Sequence, residues 1–160
     1  MAARYDLRID QGSTFRFSFT YEDDDGSPID LSNHSAEMQI RRSIEDDKLV
    51  CLLNENWPSG CIFAGLSGEF EKGNGITGYT GGIILNHNGV TGQVFVEIDS
   101  ESSFSLDEPR LFYDLQIRDT TDDFLQRLLH GTINISRTII SYKRSSPEFL
   151  EQPTLTINGD

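Results

Sequence analysis

The chain has 160 residues, with 26 acidic against 13 basic side chains, a formal charge of −13 and two cysteines. That length fits one domain, which buries roughly 70% of its unfolded surface, so no disulfide is required for an independent core. The charge balance argues against nucleic acid and anionic membranes as partners, because neutralising phosphates needs clustered Lys and Arg, and no apolar run approaches the ~20 residues that span a bilayer.

The segment Met1 to Asp6 lacks the apolar stretch of a secretory signal, which predicts synthesis and folding in a cytosol. Next, Phe15, Phe17, Phe19 and Tyr21 alternate with Arg16, Ser18, Thr20 and Glu22. A period of two puts the rings on one sheet face and the polar groups on the other, which predicts a half-buried antiparallel strand. Asp25-Gly26 and Pro28 predict a turn over Glu22 to Pro28, and Ala36, Met38 and Ile40 then repeat the alternation.

From Val50 to Gly82 the composition changes, with Gly60, Gly65, Gly68, Gly73, Gly75, Gly78, Gly81 and Gly82 close together. Glycines at this density disfavour regular elements, so residues 50–82 are predicted to be a long irregular inserted loop. Its apolar residues, among them Trp57, Phe63, Phe70 and Tyr79, are too many for a free linker. Either the loop folds back as a hairpin over its own domain, or it packs on a neighbouring subunit. As an insertion, it is expected to be removable without unfolding the rest. Cys51 and Cys61 lie inside it; a bridge between them is geometrically possible, and two reduced or buried thiols are the blander reading.

Beyond Gly82, Ile83 to Leu85 and Gly92 to Ile98 predict a hairpin, with Asn88-Gly89 as the turn. Ser100 to Glu108 predicts a connector with one helical turn plugged by Phe104 and Leu106, and Leu111 to Asp119 pairs with Phe124 to Ile135 as a final hairpin. The predicted core is Phe15, Phe17, Phe19, Met38, Ile40, Val94, Val96, Tyr113, Leu115 and Ile133. Were the first aromatic strand central, Phe17→Ala would cost about 3–5 kcal/mol. After residue 140 a polar, proline-punctuated segment leads to Thr154-Leu155-Thr156-Ile157. This predicts a C-terminal arm, 141–160, able to add a strand to another subunit through Leu155 and Ile157.

Short strands at this spacing predict an all-β, immunoglobulin-like antiparallel β-sandwich over residues 1–140, with the glycine-rich insertion and the arm attached and a closed barrel as the alternative. Catalytic signals are weak. His34, His87 and His130 have no metal-ligand spacing, and Asp23 to Gly26 lacks the alternating ligands of a calcium loop. Gly73 to Gly78 matches a dinucleotide fingerprint in letters alone, without the flanking strand and helix. Glu97, Asp99 and Glu101 are the candidates for paired carboxylates, in positions equally expected of a solvated strand edge. No enzyme activity and no cofactor are expected.

Two stretches carry a resemblance. One is Gln11-Gly12 with the aromatic alternation, Asp25-Gly26-Ser27-Pro28-Ile29-Asp30-Leu31 and Met38-Gln39-Ile40-Arg41. The other is Tyr113-Asp114-Leu115-Gln116-Ile117 with Arg127-Leu128-Leu129-His130-Gly131-Thr132-Ile133. The first resembles the N-terminal domain of upper-baseplate proteins of tailed phages, and the second is similar to the end of the same group of small phage structural domains. The resemblance implies a virion structural protein made in the host cytoplasm and located in the tail or baseplate. Its partners would be other virion proteins and further copies of itself, with Trp57, Phe63, Phe70, Tyr79, Leu155 and Ile157 as candidate inter-subunit contacts. A carbohydrate- or receptor-binding module of a tail fibre, with Trp57, Phe70 and Tyr79 as a stacking platform, and a head-surface decoration protein are the alternatives.

Overall fold

A computed structural model describes residues 2–45, 49–64, 70–72 and 79–137. These form an all-β structure with one short helix. The strands are β1 (Ala3–Arg4), β2 (Leu7–Asp10), β3 (Phe15–Thr20), β4 (His34–Arg41), β5 (Leu49–Asn54), β6 (Cys61–Ala64), β7 (Phe70–Lys72), β8 (Gly81–Leu85), β9 (Gln93–Ile98), β10 (Arg110–Asp119) and β11 (Phe124–Ser136); the helix is α1 (Ser100–Phe104). A large sheet runs β1-β11-β10-β4-β5-β6-β7, with β2 also on β11, and a small one runs β3-β9-β8. One core cluster draws on both sheets, including Met38, Ile40, Leu115 and Ile133 from the large and Ile83, Val94, Val96 and Ile98 from the small, in a sandwich-like arrangement.

Alternation placed most of these residues correctly. β10 pairs with β11 and with β4, β8 with β9, and α1 ends just before the fully buried Leu106. Pairing is antiparallel except at one edge, where β1 and β2 both run parallel to β11. Between them the chain crosses Gly131. Tyr5 N donates to His130 O (2.9 Å), Tyr113 OH to Tyr5 O (2.6 Å) and Thr132 N to Asp6 Oδ1 (3.0 Å). A side chain at Gly131 would overlap the Tyr5 carbonyl, so only glycine admits this crossing.

Two expectations change. The aromatic strand β3 is at the edge of the small sheet, and Phe15, Phe17 and Phe19 are half-buried against the core rather than within it. Phe17→Ala should therefore cost about 1.5–2.5 kcal/mol, below the figure for a central strand, because part of the ring is already in water. Denaturant midpoints would measure it, and a loss of about 4 kcal/mol would place Phe17 in the core proper.

The second change concerns residues 50–82. They are not one irregular loop, since β5 joins the large sheet against β4, β6 pairs with β5, and β7 with β6. Cys51, Leu53, Cys61 and Phe63 are core residues, at most 3% exposed, so excising the segment removes a wall of the core. Three of its glycines serve close approach instead of looseness. Gly60 N donates to Gly81 O (2.9 Å) and Asn54 N to Gly60 O (2.8 Å). A Cβ on Gly60 would lie 2.6 Å from Asn54 O, and one on Gly82 3.1 Å from the Gly60 Cα. Backbones packed this tightly exclude side chains, and composition alone does not distinguish such a junction from a loop.

Candidate functional site

On β9, Val94, Val96 and Ile98 point to the core, which leaves Gln93, Phe95 and Glu97 on the opposite face of the small sheet. Arg16 of β3 is opposite Glu97 on one side and Gly82 of β8 on the other. Gly82 has no side chain to fill its place, and a Cβ there would come within 3.2 Å of the Trp57 Cα. The segment through Trp57 and the cis Trp57-Pro58 peptide therefore lies down on the sheet, anchored by Thr80 N donating to Pro58 O (2.7 Å).

This roof closes over Glu97, which is only 2% exposed. Arg16 Nε donates to its Oε2 (2.6 Å), and Trp57 Nε1 to Oε1 (2.8 Å). Tyr79 OH donates to Oε1 as well. The two rings meet edge to face, with centroids 5.9 Å apart and planes at 74°, and remain 39% (Trp57) and 38% (Tyr79) exposed. Burial alone would raise the Glu97 carboxyl, but donation from Tyr79, Arg16 and Trp57, together with the Arg16 charge, outweighs it and holds the group below its ordinary value. The bond to Glu97 in turn pushes the Tyr79 phenol up. A carboxylate that stays ionised with both oxygens engaged acts as a fixed clamp and is poorly suited to exchanging protons with a substrate.

The other candidate carboxylates do not join it. Asp99 caps α1, accepting from Glu101 N (3.2 Å), and Glu101 is an exposed residue of the first turn. Glu97 itself was expected at a solvated edge. Its signal in the sequence was a single acid in an outward slot, and nothing local shows that Arg16, Trp57 and Tyr79 converge there from 81, 40 and 18 residues away.

Of the predicted contact residues, the structure brings Trp57 and Tyr79 together. Phe63, at 3% exposure, belongs to the chain's own core, because β6 pairs beside β5 in the large sheet with Phe63 opposite Cys51. Phe70 lies in β7 opposite Ala64. Leu155 and Ile157, with the whole arm 141–160, fall outside the described residues. Cys51 and Cys61 are both buried and free, on neighbouring strands with Cys61 opposite Leu53. The hydrogen bond with Cys61, together with burial, pushes the Cys51 thiol well up, so it stays neutral. His34 Nε2 lies 3.9 Å from Asp119 Oδ2, and His87 stacks on Phe95 at 4.2 Å. Compared with protein-family models and with curated proteins, the chain matches none.

Proposed function

We propose that this chain is a non-enzymatic structural component of a tailed-phage virion, placed in the tail or baseplate, and that it joins other subunits through an immunoglobulin-like sandwich. The observation that carries the reading is where the resembling segments sit. The Met38 to Arg41 stretch and the Tyr113 to Ile117 and Arg127 to Ile133 stretches come from opposite ends of the chain. They are β4, β10 and β11, hydrogen-bonded neighbours in one sheet. These strands of the likeness make one contiguous unit of the large sheet, while Gln11-Gly12, the aromatic strand and Asp25 to Leu31 belong to β3 of the small sheet and the turns around it. A two-sheet fold with short connections suits a role in which surfaces, not a reaction, are the product.

The carbohydrate-binding alternative rests on Trp57, Phe70 and Tyr79, of which Trp57 and Tyr79 meet. Both donate to Glu97 and their rings stand edge to face, so they offer a sugar neither a coplanar platform nor those two donors. Imaging particles made by the encoding phage with this chain disabled tests the assembly reading. Tails or baseplates should be missing or incomplete and should return when the chain is supplied in trans. Intact, infectious particles lacking the chain would overturn it, and a label on the head surface would transfer the chain to decoration.

A further inference from the structure

On the outer face of the large sheet, a cavity of about 250 Å³ opens between β1, β4, β10 and β11. Arg4, Arg41, Arg110 and Arg127 all line it, and His130 joins them, against one lining carboxylate, Asp114. Asp114 is engaged with Arg127 Nη1 at 3.3 Å, Arg4 Nη2 lies 3.3 Å from Asp6 Oδ1, and Arg41 Nη2 donates to Gln39 Oε1 at 3.0 Å. Among the described residues, four guanidinium groups against the carboxylates of Asp114 and Asp6 leave the cleft locally positive in a chain whose net charge is −13. Residues that looked scattered in sequence are gathered by strand alternation, since Arg41, Arg110 and Arg127 all occupy outward positions. The cleft also carries apolar surface: Arg110 lies over the Phe112 ring, 5.6 Å from its centroid, and Ile44 at the rim is 80% exposed.

The opposite end of the same sheet has the complementary character. β10 is ten residues long, so its turn into β11 lies about 30 Å from Arg110. That turn presents Asp119, Asp122 and Asp123, followed by Phe124 and Leu125, which are 60% and 47% exposed. Asp123 pairs with Arg118. Asp122 accepts from Phe124 N (3.1 Å), and Asp119 accepts from Thr121 N (2.9 Å) and lies 3.9 Å from His34 Nε2. The acidic tip with its exposed apolar residues thus lies beyond one end of an arginine cleft that runs from Arg110 to Arg127, which is opposite Gln116 and about 10 Å from the tip.

We infer that copies of this chain associate head to tail, with the β10–β11 tip of one copy seated in the arginine cleft of the next. The tip carboxylates meet the guanidinium groups, and Phe124 meets Ile44 and Phe112. Such a contact uses two different patches, so it propagates into a ring or a filament and does not stop at a two-fold dimer. The inference rests on the assembly reading and specifies its geometry. A polyanionic nucleic acid fits less well, because the acidic remainder of the surface repels it.

Sedimentation of the full chain tests the contact. The wild type should form concentration-dependent oligomers that weaken between about 50 mM and about 500 mM salt. Arg110→Glu destroys the cleft and keeps the tip, whereas Asp122→Lys destroys the tip and keeps the cleft. Both positions are exposed, so the fold should persist, checked by circular dichroism. Each variant alone should lose association by about tenfold or more. An equal mixture should give a capped 1:1 dimer and nothing larger. A wild type that stays monomeric up to about 1 mM overturns the inference, as do variants that associate like the wild type or a mixture without the capped dimer. A monomeric chain that takes up a Glu-rich peptide in the cleft also overturns it, in favour of another acidic partner. A monomeric chain whose absence still abolishes tails removes only this contact. Intact tails without the chain remove the assembly reading and leave the self-association to stand on its own result.

Discussion

Gly81→Ala is expected to destabilise the fold by about 3–5 kcal/mol, from backbone strain and overpacking together. Gly81 has φ +113°, a conformation side chains rarely adopt. Its missing Cβ would overlap the Glu97 carbonyl oxygen and lie 2.8 Å from the carbonyl carbon. Neither atom can yield, because both belong to the backbone of the central strand of the small sheet. Moving Gly81 instead would break its bonds to Pro58 O (3.0 Å) and from Gly60 N (2.9 Å), which tie the two sheets together. Gly89 provides the control: its φ is +73° but a Cβ there would meet nothing within 4 Å, so Gly89→Ala should cost only about 1–2 kcal/mol. Urea midpoints of the two variants separate the contributions. Equal losses would mean that the close approach at Gly81 contributes nothing.

Glu97→Ala should cost about 2–3 kcal/mol, less than the 3–5 typical of a broken buried pair, since Arg16 is exposed and regains water. Trp57 and Tyr79 lose their shared acceptor, so Trp57 fluorescence should shift toward that of a solvated indole even in the folded state. Glu97→Gln keeps the shape and removes the charge, which yields a pH test. The folded carboxyl lies below its ordinary value of 4.5. Its contribution is therefore fully present above about pH 4.5 and is lost as pH falls through the lower folded value. The stability gap between wild type and Glu97→Gln should be constant from neutral pH to about pH 5 and close progressively below that. A gap independent of pH down to about pH 3 would mean that folding does not shift the Glu97 carboxyl, and a gap that grows in favour of the wild type as pH falls from neutral would mean that it is not ionised in the fold.

Strand identity and facing were legible from alternation, because a period of two is local: Met38, Ile40, Val94, Val96, Leu115 and Ile133 are fully buried as read. The 10-residue β10 and 13-residue β11 hairpin was equally clear, with turn chemistry and alternation agreeing over a long span. Whether a strand is central or at an edge is not a local property. Phe17 has the same neighbours in sequence either way, and its ring is half exposed because β3 is at the edge of the small sheet among the described strands. The glycines at 60, 81 and 82 carried a local signal for irregularity, and the fold used them for contact between backbones.

By itself the sequence determined the all-β class, the alternating faces, the turns at Asp25-Gly26 and Asn88-Gly89, and an acidic surface, since each follows from neighbours a few residues apart. Only the tertiary structure decided that Glu97 is a buried clamp, that Phe63 and both cysteines are core, and that four arginines from β1, β4, β10 and β11 form one cleft. Those outcomes depend on register between strands far apart in the chain, and a one-residue slip in any pairing would send the same side chains to the opposite face.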